Sequence, residues 1–165
     1  MDSDEYKIPT ATSIGHVHLK VTDLNKALSF YKDLLGFEVM QYYGDSAVFL
    51  SAGGYHHHIA LNTWHSKNTG PAPVRAAGLY HLAITYPTRK DLAYILKRLT
   101  EAGYPLTGAS DHGVSDALYM NDPDGNGVEL YWDRPKSEWP MDEKGNLLMG
   151  TEPLDVSSLL KETIS

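Results

Sequence analysis

The sequence predicts an α+β fold in which two βαβββ modules form a curved, barrel-like mixed sheet around a cavity. Three observations predict it. Residues 14–21 can be laid over residues 79–86 so that His16 and His81 coincide. Each of these segments leads into a helical hydrophobic pattern that stops at a glycine. Each half then continues into a hairpin punctuated by glycine, proline or asparagine.

Module one spans about residues 13–65. Val17, Leu19 and Val21 alternate as one apolar face of its first strand, which sends His16 and His18 to the other face. Asp23 is placed to cap a helix whose Leu24, Ala27, Leu28, Tyr31, Leu34 and Leu35 recur at helical spacing up to Gly36. The hairpin is Ala47 to Leu50, a turn at Gly53 and Gly54, then His57 to Leu61.

A linker over residues 66–77, with Pro71 and Pro73, leads to module two at about 78–133. There Leu82 and Ile84 face the helix and His81 faces away. Thr88, with Asp91 three residues on, is placed to cap a helix carrying Leu92, Ile95, Leu96 and Leu99 up to Gly103. The second hairpin runs from Ala117 to Met120, turns at Asp122-Pro-Asp-Gly-Asn126, and returns from Val128 to Tyr131. Parity puts Glu129 and Tyr131 opposite Val128, Leu130 and Trp132.

His16, His81 and Glu129 therefore share the non-helix faces, where a curved sheet would gather them. Aligned without a gap, the hairpins pair Phe49 with Tyr119 and Ile59 with Glu129. A shift of one residue would instead set His58 or Ala60 opposite Glu129. His56, His57 and His58 look like a metal-binding tract, but strand alternation is expected to split them between two faces. On that reading His57 shares a face with Ile59 and lines the pocket, as does His18. The turn at 122–126 also approaches a calcium-binding loop. Its twelfth position is Asp133 rather than glutamate, and Arg134-Pro135 leaves no exiting helix, so a hairpin turn is expected.

Composition narrows the function classes. A formal charge of −7 and the absence of a basic cluster argue against a nucleic-acid partner. With no cysteine, ligation falls to histidine and carboxylate. No apolar run reaches the roughly 18 residues of a membrane helix and no signal-peptide pattern opens the chain, so no membrane association and a cytoplasmic location are expected. A length of 165 residues suits one domain. The tail, 134–165, carries Trp139 and a short capped helix pattern beginning at Asp155, expected to dock an apolar edge on the body or on a partner.

These residues resemble the vicinal oxygen chelate superfamily, which includes glyoxalase I, bleomycin-resistance proteins and extradiol dioxygenases. The resemblance rests on Gly15-His-Val-His-Leu-Lys-Val-Thr-Asp-Leu24, Phe30-Tyr31, Leu35-Gly36-Phe37, Tyr80-His81-Leu82 and Tyr119-Met-Asn-Asp-Pro-Asp-Gly-Asn-Gly-Val-Glu129. Asp111-His-Gly-Val-Ser115 and Gly54-Tyr-His-His-His58 look most like the catechol 2,3-dioxygenase branch. The resemblance implies Fe(II) held by His16, His81 and Glu129, with Mn(II), Zn(II) or Ni(II) as alternatives. It implies a catechol-like aromatic diol and O2 as substrates, His112 and Tyr119 as proton-handling residues, and a homodimer. Two histidines and one carboxylate are the ligand set of non-haem Fe(II) oxygenases. A glyoxalase-like lyase or isomerase would place a further acid opposite Glu129, and a non-catalytic binding protein of the antibiotic-resistance type would lack the ligands.

Overall fold

The computed structural model describes residues 5–164 and contains two mixed sheets with their helices packed into one hydrophobic cluster. The first sheet is formed by β1 (Val17–Lys20), β2 (Glu38–Tyr43), β3 (Ala47–Ser51) and β4 (Ile59–Asn62) in the order β1-β4-β3-β2. The second contains β5 (Leu82–Thr85), β6 (Gly108–Asp111), β7 (Ser115–Asn121), β8 (Gly127–Asp133) and β9 (Glu152–Pro153) in the order β5-β8-β7-β6-β9. The two βαβββ modules are thus present, as two open sheets rather than one closed barrel. The second module gains a fifth strand because the tail pairs Ser110 with Pro153 and Asp111 with Glu152.

Local sequence explains the helices. In α1 (Leu24–Leu28), the Asp23 carboxylate accepts from the backbone N–H groups of Asn25 and Lys26, satisfying donors that have no intrahelical partner. The helix continues as a π-helical stretch, Ser29–Leu34, that buries both Phe30 and Tyr31. Plain α periodicity picks out Tyr31 alone of that pair. The wider turn brings both rings inward, Phe30 lying edge-on to Tyr31 at 4.9 Å. In α2 (Arg89–Glu101), Thr88 and Asp91 form a reciprocal capping box, and Leu92, Ala93, Ile95, Leu96 and Leu99 face the core. Gly36 and Gly103 end the two helices with φ of 89° and 64°, a conformation that costs other residues strain.

Strand parity follows the alternation expected from the sequence. Val17, Leu19, Val21, Leu82, Ile84, Val128, Leu130 and Trp132 belong to the hydrophobic cluster or pack against it. The α3 helix (Val156–Lys161), capped by Asp155 through the Ser158 N–H, docks Leu159 into the same cluster. No described helix is long and apolar enough to cross a membrane.

Polar contacts lock the modules together. The hydroxyl of Tyr31 donates to Asp122 at 2.9 Å, the Thr22 N–H donates to Asp124 at 2.9 Å, and Arg98 donates to the carbonyls of Asp33 and Leu34. The turn at 122–126 is a hairpin turn, as expected: Asp122 accepts from the N–H groups of Asp124 and Asn126 and from the Asn126 amide. Asp142 and Asn146 build the same turn in the tail.

Burial, reinforced by the charge of Asp122, raises the Tyr31 pKa far above the ordinary phenol value, and burial pushes Tyr86 up to about 12. Both are raised, so the stability they contribute is whole below the unfolded value of ~10 and is lost as pH climbs towards the folded values. The urea midpoint is expected to fall between pH 9.5 and 11.5. Tyr31→Phe should flatten that fall; an unchanged pH slope in the variant would contradict the assignment.

Candidate metal and proton-transfer site

The side chains expected to carry chemistry in module two form one chain of close polar contacts. His81 Nε2 lies 2.9 Å from Glu129 Oε2. The other Glu129 oxygen is 3.1 Å from the Tyr119 hydroxyl. That hydroxyl is 2.6 Å from His112 Nε2, and His112 Nδ1 is 2.7 Å from the Gly150 carbonyl. Strand register explains the first three: β7 pairs Tyr119 with Glu129, and β8 sets Glu129 beside Ala83, two residues from His81. Cross-strand neighbours project from the same face.

Gly127 makes this approach possible. A Cβ there would drive into the Tyr80 carbonyl oxygen and come within 3.0 Å of His81 Cβ. Gly127→Ala is expected to push β8 away from β5, costing about 1–3 kcal/mol as an overpacked site. It should also separate His81 from Glu129. Thermal unfolding together with metal titration checks this, and a variant with wild-type stability and affinity would refute it.

Electrostatics set the protonation state of the chain's middle member. Burial, the Glu129 charge and the hydrogen bond to Glu129 push the Tyr119 pKa up to about 12, so Tyr119 remains a neutral hydroxyl at physiological pH.

His81 and Glu129 could supply two donors to a divalent ion. Two ligand atoms about 2.1 Å from one ion and at right angles are about 3 Å apart, close to the 2.9 Å between His81 Nε2 and Glu129 Oε2. Tyr119 donates to the second carboxylate oxygen.

His16 is not in this chain. Its ring stands 4.3 Å from His57 and 6.5 Å from His56, centroid to centroid. Among the described residues no group of three histidines or carboxylates is arranged to hold a metal ion as it stands. His18 Nε2 accepts from the Asn62 side-chain NH2 at 2.8 Å and packs edge-on to Trp64. Burial first, then the neighbouring His16, lower the His18 pKa; burial and four surrounding histidines lower that of His57.

Two expectations about the first hairpin need correction. The residue opposite Glu129 is Ala60, not Ile59: β1 and β4 pair Val17 with Ile59, whereas β5 and β8 pair Leu82 with Val128. Ile59 is a core residue at 2% exposure. Strand alternation also fails for the histidine tract, because β4 begins only at Ile59. His56 and His57 turn to the same side, their Nδ1 atoms 2.8 Å apart, while His58 turns to Ser51 and Ala52. His57 accordingly packs on Phe49 and His16 rather than sharing the buried face of Ile59.

A family model described as the Glyoxalase/Bleomycin resistance protein/Dioxygenase superfamily matches residues 13–130. The chain belongs to this superfamily. It is 41% identical over 152 residues to a catechol-2,3-dioxygenase of Bacillus subtilis (strain 168), covering 92% of the chain and 52% of the relative. It is 35% identical over 123 residues to biphenyl-2,3-diol 1,2-dioxygenase 3 of Rhodococcus globerulus, covering 73% and 63% respectively. The chain thus spans between half and two thirds of the length of these relatives. A glyoxalase/dioxygenase crystal structure from Nostoc punctiforme superposes with a TM-score of 0.63 at 16% identity, over 80% of the chain and 99% of that structure, a likeness of fold.

Proposed function

We propose that the protein is a metal-dependent extradiol ring-cleavage dioxygenase that acts on a catechol-like aromatic diol with O2. The observation that carries this reading is the continuous chain from His81 through Glu129 and Tyr119 to His112. It joins a pair of metal-capable donors to a group that can take up protons. The likeness to two diol dioxygenases supports the substrate class.

In this reading His81 and Glu129 hold Fe(II), with His16 as the third ligand. The ion would bring the vicinal oxygens of the diol and dioxygen to neighbouring positions. The chain's own residues manage protons. Tyr119 keeps its hydroxyl proton and donates it towards whichever neighbour lacks one. His112 Nε2 takes up the proton that the diol releases on binding. Ala60 opposite Glu129 provides no further ligand, which disfavours a glyoxalase-like isomerase.

The test is anaerobic purification, loading with one equivalent of Fe(II), and oxygen uptake across a panel of substituted catechols. Uptake with a yellow ring-opened product is expected, and His16→Ala should bind the metal more weakly. Tight metal binding without oxygen uptake on any diol would reject the reading. Turnover of the methylglyoxal–glutathione adduct in its place would establish the isomerase.

A further inference from the structure

The family model stops at residue 130, yet the segment beyond it reaches back to one side chain of the candidate site. His112 and Gly150 are joined twice: His112 Nδ1 is 2.7 Å from the Gly150 carbonyl, and the Gly150 N–H donates to the His112 carbonyl at 3.1 Å. We propose that Gly150 is the positioning residue for His112, its carbonyl fixing the imidazole so that Nε2 alone faces the Tyr119 hydroxyl, accepting from it when the ring is neutral and donating to it when the ring is protonated.

A backbone carbonyl only accepts, so His112 Nδ1 must carry the hydrogen in that contact. In the neutral ring Nε2 is then the lone-pair nitrogen, 2.6 Å from the Tyr119 hydroxyl. The hydroxyl has one hydrogen and two neighbours that can accept it, His112 Nε2 and Glu129 Oε1. With His112 neutral the hydrogen goes to Nε2. With His112 protonated, Nε2 donates to the tyrosine oxygen and the hydroxyl hydrogen turns to Glu129. The opposite tautomer would set an Nδ1 lone pair against the carbonyl oxygen, so the tail removes it. A histidine whose second nitrogen is held by a carbonyl has its tautomer and ring direction set by that partner.

The tail is built to hold Gly150 there. Its residues close a small hairpin through the Met141 and Leu147 bridge and the Asp142 turn. Pro140 lies on the His112 turn at Gly113, whose φ is 77° and where a Cβ would be 3.0 Å from Pro140 Cγ. Just past Gly150, β9 adds to the edge of β6, the strand that leads into His112. Leu159, fully buried, anchors the end of the segment. The match to the Bacillus relative covers 92% of the chain and so necessarily continues into this segment.

The proposal stands apart from the ring-cleavage reading, because it concerns a tautomer that can be observed without turnover. Ring nitrogen shifts of His112 in the full-length protein should show Nδ1 protonated and Nε2 bare in the neutral form. Replacing Thr151 by its α-hydroxy analogue turns the Gly150 carbonyl into an ester, a weaker acceptor of the same shape. That variant should keep the fold and gain a several-fold larger Nε2–H population. In the iron-loaded protein kcat should fall several-fold with KM unchanged. A neutral Nε2–H tautomer in the wild type, or an unchanged tautomer ratio in the ester variant, would overturn the proposal. Absence of turnover in the wild type, with the tautomers as expected, would count against the ring-cleavage reading alone.

Discussion

Glu129→Ala is expected to abolish stable metal binding and to lower ring cleavage by more than ~100-fold. The bound rests on a comparison: loss of a residue that merely supports a ligand costs about 10–100-fold in affinity or activity, and loss of a ligand should cost more. Two neighbours lose partners at once. His81 Nε2 is left without the carboxylate at 2.9 Å, and Tyr119 keeps only His112. Tyr119→Phe provides the scale, since it keeps all three proposed ligands and removes only the hydroxyl; a fall within the 10–100-fold range is expected there. Glu129 is a largely buried side chain, but it lies outside the hydrophobic cluster, so the apo variant should unfold near the wild-type midpoint. Metal content after anaerobic loading and initial oxygen-uptake rates are the measurements. A variant that retains one equivalent of iron and cleaves within a few-fold of wild type would remove Glu129 from the ligand set.

What the sequence made legible was the side-chain parity of the strands. Val17 and Leu19 point inward on β1 and Val21 just past it, and Val128 and Leu130 on β8, so the faces of His16 and Glu129 followed from alternation alone. Contacts within module two were equally readable, because Tyr119 and Glu129 flank a short turn that fixes the register. Module one misled. From Phe49 to its partner Ala60 is eleven positions, whereas from Tyr119 to its partner Glu129 is ten. The additional residue lies in a connection of glycine, tyrosine and histidine with no apolar alternation to reveal it. The same irregularity brings His56 and His57 to one side. The carbonyl of Gly150 had no signal either, since a backbone acceptor leaves no mark on residue type. Placing His16 relative to His81 depends on how two sheets pack, and no local pattern encodes that.

The charged network beneath His112 was also invisible in the sequence, and it carries the largest stability prediction. Asp116, on β7, is 1% exposed and accepts from Arg89 Nε at 2.7 Å and from Arg134 at 2.9 Å. Arg134 also donates to Asp111 at 2.7 Å, and Arg89 pairs with Glu162 past the end of α3. One carboxylate therefore ties the start of α2, the exit of β8 and the tail to the strand that carries Tyr119. Asp116→Ala would leave two guanidinium groups facing each other without their shared anion. Breaking a buried pair costs about 3–5 kcal/mol, and because both arginines retain some solvent contact the lower end, about 3 kcal/mol, is expected. Asp111 is the acid-sensitive member. Burial raises its pKa, but the Gly113 N–H and Arg134 outweigh that and hold it below the usual carboxylate value. A depressed pKa contributes stability above the unfolded value of ~4, lost as pH falls through the lower folded value. Urea unfolding at pH 7 should show the Asp116 loss in full. Asp111→Asn should instead lose stability at pH 7 and converge on wild type in strong acid. If Asp116→Ala unfolds within 1 kcal/mol of wild type, the two arginines find water as good a partner as the carboxylate, and the network does not hold the tail.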